Sequence, residues 1–244
     1  MNSISTVNLK VLVMDTDYFA LQAINSYLAW DRRTRVTCMA ESVEEMWAYL
    51  HRTPLAELPD VVVLDADEIG GADALRYHIE SLRKKIRDVM VICLARVADA
   101  RLIDAAADAG ARGYLLKNEV GMQIAWAIVY ALDHDFIISP AIAQASEQIF
   151  NTRLIHATVL PGRREYPELT ERIRQAIELC VVEGMPAHLA ADEMGISLHT
   201  IRSYIKEGYR ILEAYDETEY PVDMSPQERA FMRLTRFTDE PEEK

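Results

Sequence analysis

Long apolar runs are missing from this chain, so nothing in it is built to cross a bilayer as a helix. No basic-then-apolar leader opens it, and a cytoplasmic protein without a membrane partner is expected. Cysteine is scarce: Cys38, Cys93 and Cys180 are odd in number, far apart and set in apolar stretches. That excludes a disulfide framework and reads as reduced core thiols, not metal ligands. The six histidines show no pairing at ligand spacing. Neither a nucleophile–base signature nor a phosphate-binding glycine loop occurs, and Gly70-Gly71 reads as a turn, so no enzyme is expected. Basic charge is also short, with 26 Lys and Arg against 39 Asp and Glu, a net charge of −13. A length of 244 residues suits two modest domains, each with its own core.

What the chain does have is a strand ending in a lone acid, Val61-Val62-Val63-Leu64-Asp65, and a later one ending in a lone lysine, Gly113-Tyr114-Leu115-Leu116-Lys117. Continuous apolar runs of this length are strands buried on both faces, as in a parallel sheet. Their C-terminal ends point to the crevice where such sheets bind ligands, so Lys117 can neutralise an anion made on Asp65. The surrounding sequence alternates strand and helix. Strands are expected at Lys10 to Met14 (followed by Asp15), Val36 to Ala40, Val61 to Asp65, Val89 to Ala95 and Gly113 to Lys117. Helices are expected at Tyr18 to Trp30, Ser42 to Leu50, Asp73 to Lys85, Asp99 to Ala109 and Val120 to Leu132. The last should carry Ile124, Ala125, Ile128, Val129 and Leu132 on one side. Five strands each followed by a helix predict an α/β, doubly wound, five-stranded parallel sheet.

Over residues 8–133 the chain resembles the flavodoxin-like receiver domain of two-component response regulators. The resemblance makes Asp65 the candidate phosphoacceptor. It gathers Asp15, Thr16, Asp17, Ala95, Tyr114 and Lys117 into the receiver pocket, with Tyr114 where many receivers carry an aromatic switch residue. It also implies Mg²⁺ held by Asp15, Asp17 and Asp65, and a histidine kinase as partner. Two positions depart from the pattern. Thr16 stands where receivers carry the second acid, with Asp17 one residue further, and Ala95 stands where they carry Thr or Ser. The first change weakens a cation site, and the second removes a hydroxyl that couples a phosphoryl group to the switch region. The receiver is therefore atypical. Ile137-Ile138-Ser139-Pro140 and the helix after it resemble the receiver end of the NarL/FixJ subclass.

Residues 134–167 read as a connecting helix and linker, broken at Leu160-Pro161-Gly162-Arg163-Arg164. From 168 to 216 only helices are expected. Leu169 to Val182 carries Ile173, Ala176, Ile177, Cys180 and Val181 on one face and stops at Gly184. Pro186 to Met194 is short, with Leu189, Ala190 and Met194 inward, and ends at Gly195. Ser197 then caps a helix running to about Tyr215. Two helices about a glycine turn form a helix-turn-helix. Gly184, Leu189-Ala190, Met194-Gly195-Ile196-Ser197 and Thr200-Ile201-Arg202 resemble the LuxR/GerE-type output domain of NarL/FixJ regulators.

On the long helix Ile201, Tyr204, Ile205 and Leu212 fall on the inner stripe, and His199, Arg202, Ser203, Lys206 and Arg210 on the outer one. With Thr200, that outer set is the candidate DNA-binding surface. Arg202 and Lys206 lie one turn apart, so both can enter a major groove, while Arg210, Arg163 and Arg164 are placed for phosphates. Charge opposes this: residues 166–216 hold five Arg and Lys against nine Asp and Glu, a net −4. Glu207 and Gly208 also interrupt the helix. A homodimer on double-stranded DNA is expected, since two half-sites strengthen a modest contact. Residues 217–244 add an extension: a capping box at Ser225-Pro226-Gln227-Glu228, an apolar stripe of Ala230, Phe231, Leu234 and Phe237, and an acidic, disordered tail over 239–243. Two readings stand. One is a DNA-binding transcription regulator whose atypical receiver controls dimerisation or DNA access. The other is a phosphorylation-independent adaptor acting on RNA polymerase or another regulator.

Overall fold

A computed structural model describes residues 7–216 and 218–238. The expected acidic tail over 239–243 lies outside the described residues. The chain divides into two units, one of Val7–Leu160 and one whose described part begins at Pro161.

In the first unit the apolar runs form a parallel sheet: β1 (Leu9–Met14), β2 (Thr34–Ala40), β3 (Val61–Asp65), β4 (Met90–Ala95), β5 (Gly113–Leu116), β6 (Ile137–Ile138) and β7 (Thr158–Val159). Their spatial order is β2-β1-β3-β4-β5-β6-β7. Every residue of β3, β4 and β5 is buried, which is why their sequences are apolar without alternation. Helices α1 (Tyr18–Ala29), α2 (Val43–Arg52), α3 (Ala72–Lys85), α4 (Ala100–Asp108), α5 (Lys117–Val120), α6 (Ile124–Tyr130), α7 (Pro140–Ser146) and α8 (Thr152–Ile155) connect the strands. Met46 and Leu50 of α2, Leu75, Ile79 and Leu82 of α3 and Ile103 of α4 pack with Met14, Leu64, Cys93 and Tyr114 in one core.

Three expectations are corrected here. The sheet has seven strands, not five. Leu160 N–H donates to Ile138 O at 2.8 Å and Thr158 N–H to Phe136 O at 2.8 Å, so much of the expected linker is an added sheet edge. Two-residue strands carry too little periodicity to be read from sequence. The helix expected from Val120 to Leu132 is instead three pieces, because Gly121, at φ +40°, breaks it and a 3₁₀ turn at Gly121–Gln123 intervenes. Leu132 lies beyond α6 and is exposed.

The second unit holds α9 (Glu171–Ile177), α10 (Ala187–Met194), α11 (Leu198–Ala214) and α12 (Pro226–Leu234). The expected long first helix widens after Ile177 into a π-helical turn over Glu178–Val182. Gln227 Nε2 of α12 donates to Cys180 O in that turn at 2.8 Å. The segment after the break is no free linker either: Arg163 bridges Phe237, and Arg164 N–H donates to Arg236 O at 3.0 Å. Ser225 and Glu228 form the expected reciprocal cap of α12, which packs on α11 and the π turn. Among the described residues no helix is long and apolar enough to cross a membrane.

Candidate functional site

The crevice of such a sheet lies outside the strand ends, where neighbouring connections leave in opposite directions. Here that point falls between β1 and β3, with β2 on the far side of β1. Asp15 follows β1 and Asp65 closes β3, and both are buried to within 2% of full exclusion. Lys117, at the end of β5, reaches over to both: its Nζ is 2.7 Å from Asp15 Oδ2 and 3.3 Å from Asp65 Oδ1. Thr16 Oγ1 donates to Asp65 Oδ2 at 3.3 Å. Burial pushes the Asp15 carboxyl above its ordinary range, with the hydrogen bond from Lys117 opposing it.

Asp17 is not brought into this pocket as a cation ligand. Its Oδ1 accepts from the Phe19 and Ala20 N–H groups at 2.9 and 3.2 Å, which makes it the N-cap of α1. Among the described residues no three His, Cys, Asp or Glu side chains are grouped to hold a metal. Mg²⁺ is commonly held by one or two carboxylates plus waters, so Asp15 and Asp65 are a fitting pair and Asp17 is not needed.

Ala95 ends β4 fully buried and offers no hydroxyl. Beside it Arg96 N–H donates to Asp67 Oδ2 at 2.6 Å, and its guanidinium donates to Glu68 Oε1 at 2.8 Å. Asp67, Glu68 and Arg96 thus close the rim, a feature the sequence reading missed although Arg96 directly follows Ala95. Tyr114 is fully buried opposite Cys93, and its hydroxyl has no hydrogen-bond partner among the described residues. Burial raises its pKa beyond reach, and lifts the Cys93 thiol to about 12.

In the second unit Gly195, at φ +64°, makes the left-handed turn between α10 and α11 that a side chain would resist. Ser197 caps α11, its Oγ accepting from Thr200 N–H at 3.1 Å, and Thr200 Oγ1 lies 2.8 Å from the same oxygen. Ala190, Ala191 and Met194 face the core with Ile201. Leu189, expected inward, is 48% exposed, because it lies off the stripe that Ala190 and Met194 define. His199, Arg202, Ser203, Lys206 and Arg210 all lie exposed on one helix. Ser203 Oγ donates back to His199 O at 3.1 Å. Arg210 is engaged by Glu207 through two hydrogen bonds of 3.0 and 2.6 Å, so its charge is locally offset. Among the described residues Arg202 and Lys206 make no ion pair. Arg163 lies 3.6 Å from Glu178 and Arg164 4.0 Å from Asp216.

Gly208, which interrupts the long helix in sequence, has a packing role there in the structure. A Cβ there would lie 2.5 Å from Ile177 Cγ1 and 3.2 Å from Ile173 Cγ2, so glycine is what lets α9 and α11 approach.

No protein-family model matches the chain. The response regulator protein VraR of Staphylococcus aureus (strain NCTC 8325 / PS 47) is 23% identical over 215 residues, covering 87% of this chain and 94% of VraR. The chain is a homologue of response regulators. Transcriptional regulatory protein YdfI of Bacillus subtilis (strain 168) is 25% identical over 164 residues, covering 66% of this homologue and 71% of YdfI. In fold it matches the two-component response regulator RcsB in an RcsB–DNA complex, at a TM-score of 0.50 and 16% identity, covering 93% of this chain and 99% of that one. The α/β class with a helical second part is the shared architecture, with seven strands in this sheet.

Proposed function

We propose that this response-regulator homologue is a DNA-binding transcription regulator that acts as a homodimer and not as an enzyme. The observation that carries the reading is the pair Arg202 and Lys206, exposed on α11 without ion-pair partners among the described residues and one turn apart, behind a left-handed glycine turn. Glu207 offsets Arg210, which confines free positive charge to the first half of the helix, the half that enters a major groove in helix-turn-helix proteins. Relatives named as response regulators, and an RcsB neighbour solved with DNA, support the same reading.

The receiver-like unit supplies the input. Asp65 is the candidate phosphoacceptor, and Lys117 is placed to neutralise charge added to it. Asp15 and Asp65 would hold Mg²⁺, which when bound offsets charge on an incoming phosphoryl oxygen. Thr16 donates to Asp65 instead of lending a carboxylate, and Ala95 gives an added phosphoryl group no hydroxyl to grip. Phosphorylation by a histidine kinase is therefore slow, and its coupling to dimerisation or DNA access is weak. Residues 8–133 act as receiver, 168–216 as reader, and the extension from 217 braces the reader.

The deciding experiment is genome-wide DNA occupancy of the wild type beside Arg202→Ala/Lys206→Ala. Discrete sites lost in the double variant establish the reading. A second reading, an adaptor on RNA polymerase or another regulator, is favoured by the net −4 of residues 166–216. Occupancy that follows polymerase and ignores the double variant selects it.

A further inference from the structure

A second charged feature lies at the opposite end of the first unit's sheet from Asp65. A cleft of about 620 Å³ opens beside the residues that precede β4, β5 and β6. Four arginines line it from four separate segments: Arg83 in the last turn of α3, Arg87 ahead of β4, Arg112 ahead of β5 and Arg153 in α8. In a chain of net charge −13 that grouping is against the general trend.

Most of these guanidiniums are positioned by main-chain oxygens. Arg83 Nη1 donates to Ala109 O at 3.0 Å, and Arg112 Nη1 to His134 O at 2.9 Å. Arg153 donates to Ala107 O at 2.8 Å and Asp135 O at 2.7 Å. A carbonyl orients a guanidinium without cancelling its charge. Gly110, at φ +81°, helps seat Arg83, since a Cβ there would collide with the guanidinium.

The carboxylates along the same wall offset little. Asp108 is already engaged by Arg76 at 3.1 Å and by Asn151 at 2.7 Å. Asp88 meets Arg87 at 3.3 Å, but both side chains are about nine-tenths exposed, where a pair is worth little. Asp135, its side chain largely exposed, meets Arg153 at 3.2 Å. Arg83 and Arg112 therefore line the cleft with no carboxylate partner among the described residues.

We propose that this cleft binds a small molecule carrying a diphosphate, an input to the receiver-like unit separate from Asp65. The guanidinium fork matches phosphate oxygens two at a time, and fixed forks lose little freedom on binding. Two uncompensated guanidiniums match two phosphoryl groups, with Arg87 and Arg153 at the margins. The volume falls within the range of small-molecule sites, and Ile86 and Val89 offer an apolar strip for an attached body.

The test is calorimetric titration of the full chain with inorganic pyrophosphate and, separately, with ADP. Both should bind; tighter ADP binding identifies a nucleotide as the natural source, and equal binding identifies the free diphosphate. Arg83→Gln/Arg112→Gln should weaken either by about tenfold or more, from the loss of two charge-assisted contacts. Arg87→Gln changes only an exposed side chain and should weaken binding about threefold with the fold intact. Asp65→Asn should leave both titrations unchanged. The proposal is overturned if neither anion binds the wild type, if the arginine variants bind as the wild type does, or if Asp65→Asn abolishes binding.

Discussion

Lys117 Nζ stands closer to Asp15, at 2.7 Å, than to Asp65, at 3.3 Å. The lysine thus joins two buried carboxylates, and the three groups together carry one negative charge when all are ionised. Burial first, and the nearby Asp65 charge further down the scale, hold the Asp15 carboxyl above its ordinary range.

A raised carboxyl pKa means the folded state holds its proton more tightly than the unfolded chain. The ionised form then weakens the fold as pH rises from the unfolded value, about 3.9, through the raised folded one. Asp15→Asn should therefore stabilise the first unit near pH 7 and give no gain near pH 3. Urea unfolding at the two pH values measures this, and an equal effect at both would contradict it.

Labelling of Asp65 by a small-molecule phosphodonor with Mg²⁺ should be slow, because Thr16 supplies a hydroxyl where a second carboxylate would serve the cation. Thr16→Asp should raise the Mg²⁺-dependent rate by about tenfold, or about 1.4 kcal/mol of barrier. Asp65→Asn should remove the label. Rapid stoichiometric labelling of the wild type would show that Thr16 and Ala95 are no handicap.

Asp216 should prove the residue on which the second unit most depends. Its buried carboxylate meets Arg233 at 3.2 Å and Arg236 at 2.7 Å, and accepts from the Thr218 and Tyr220 hydroxyls. Burial alone would raise its pKa, but these hydrogen bonds and charges bring it below the ordinary value. Asp216→Ala removes the buried carboxylate that Arg233 and Arg236 share and should cost about 3–5 kcal/mol. The stabilisation from Asp216 is present above the unfolded pKa of about 3.9 and is lost as pH falls through the lowered folded value. A thermal midpoint that falls steeply in acid for the wild type, and much less for Asp216→Ala, is the expected result.

Gly208→Ala should destabilise the second unit although alanine favours helix by about 1 kcal/mol. The added methyl meets Ile177 at 2.5 Å, and overpacking of this kind costs about 1–3 kcal/mol. Ile177→Val in the same chain should restore part of the loss, as read by denaturant midpoint.

On a bound promoter fragment, Arg202→Ala/Lys206→Ala should abolish the sequence-specific gel shift and leave the circular dichroism unchanged. Loss of one bidentate arginine–guanine contact alone costs about 1–3 kcal/mol. Arg210→Ala should have a far smaller effect, since Glu207 already engages that guanidinium.

Much of this molecule could be read from its residues. Continuous apolar runs at β3 and β5 announced a sheet buried on both faces, and the acid and lysine at their ends announced a charged rim. Gly195 and Ser197 announced the turn and cap between α10 and α11, because a left-handed residue and a capping oxygen are local requirements. The tertiary structure decided what depends on distant neighbours. Residues 158–159 became a seventh strand because Phe136 and Ile138 offered free carbonyls, and Asp17 went to a helix cap instead of the pocket. Gly208 turned from an apparent flaw into a point of close helix contact once Ile177 stood opposite. The four arginines of the cleft, spread over seventy positions of chain from 83 to 153, met only when the sheet brought its strand ends together. Periodicity and capping act within a few residues and survive in the sequence; pairing partners far along the chain are set by packing, and only the folded molecule discloses them.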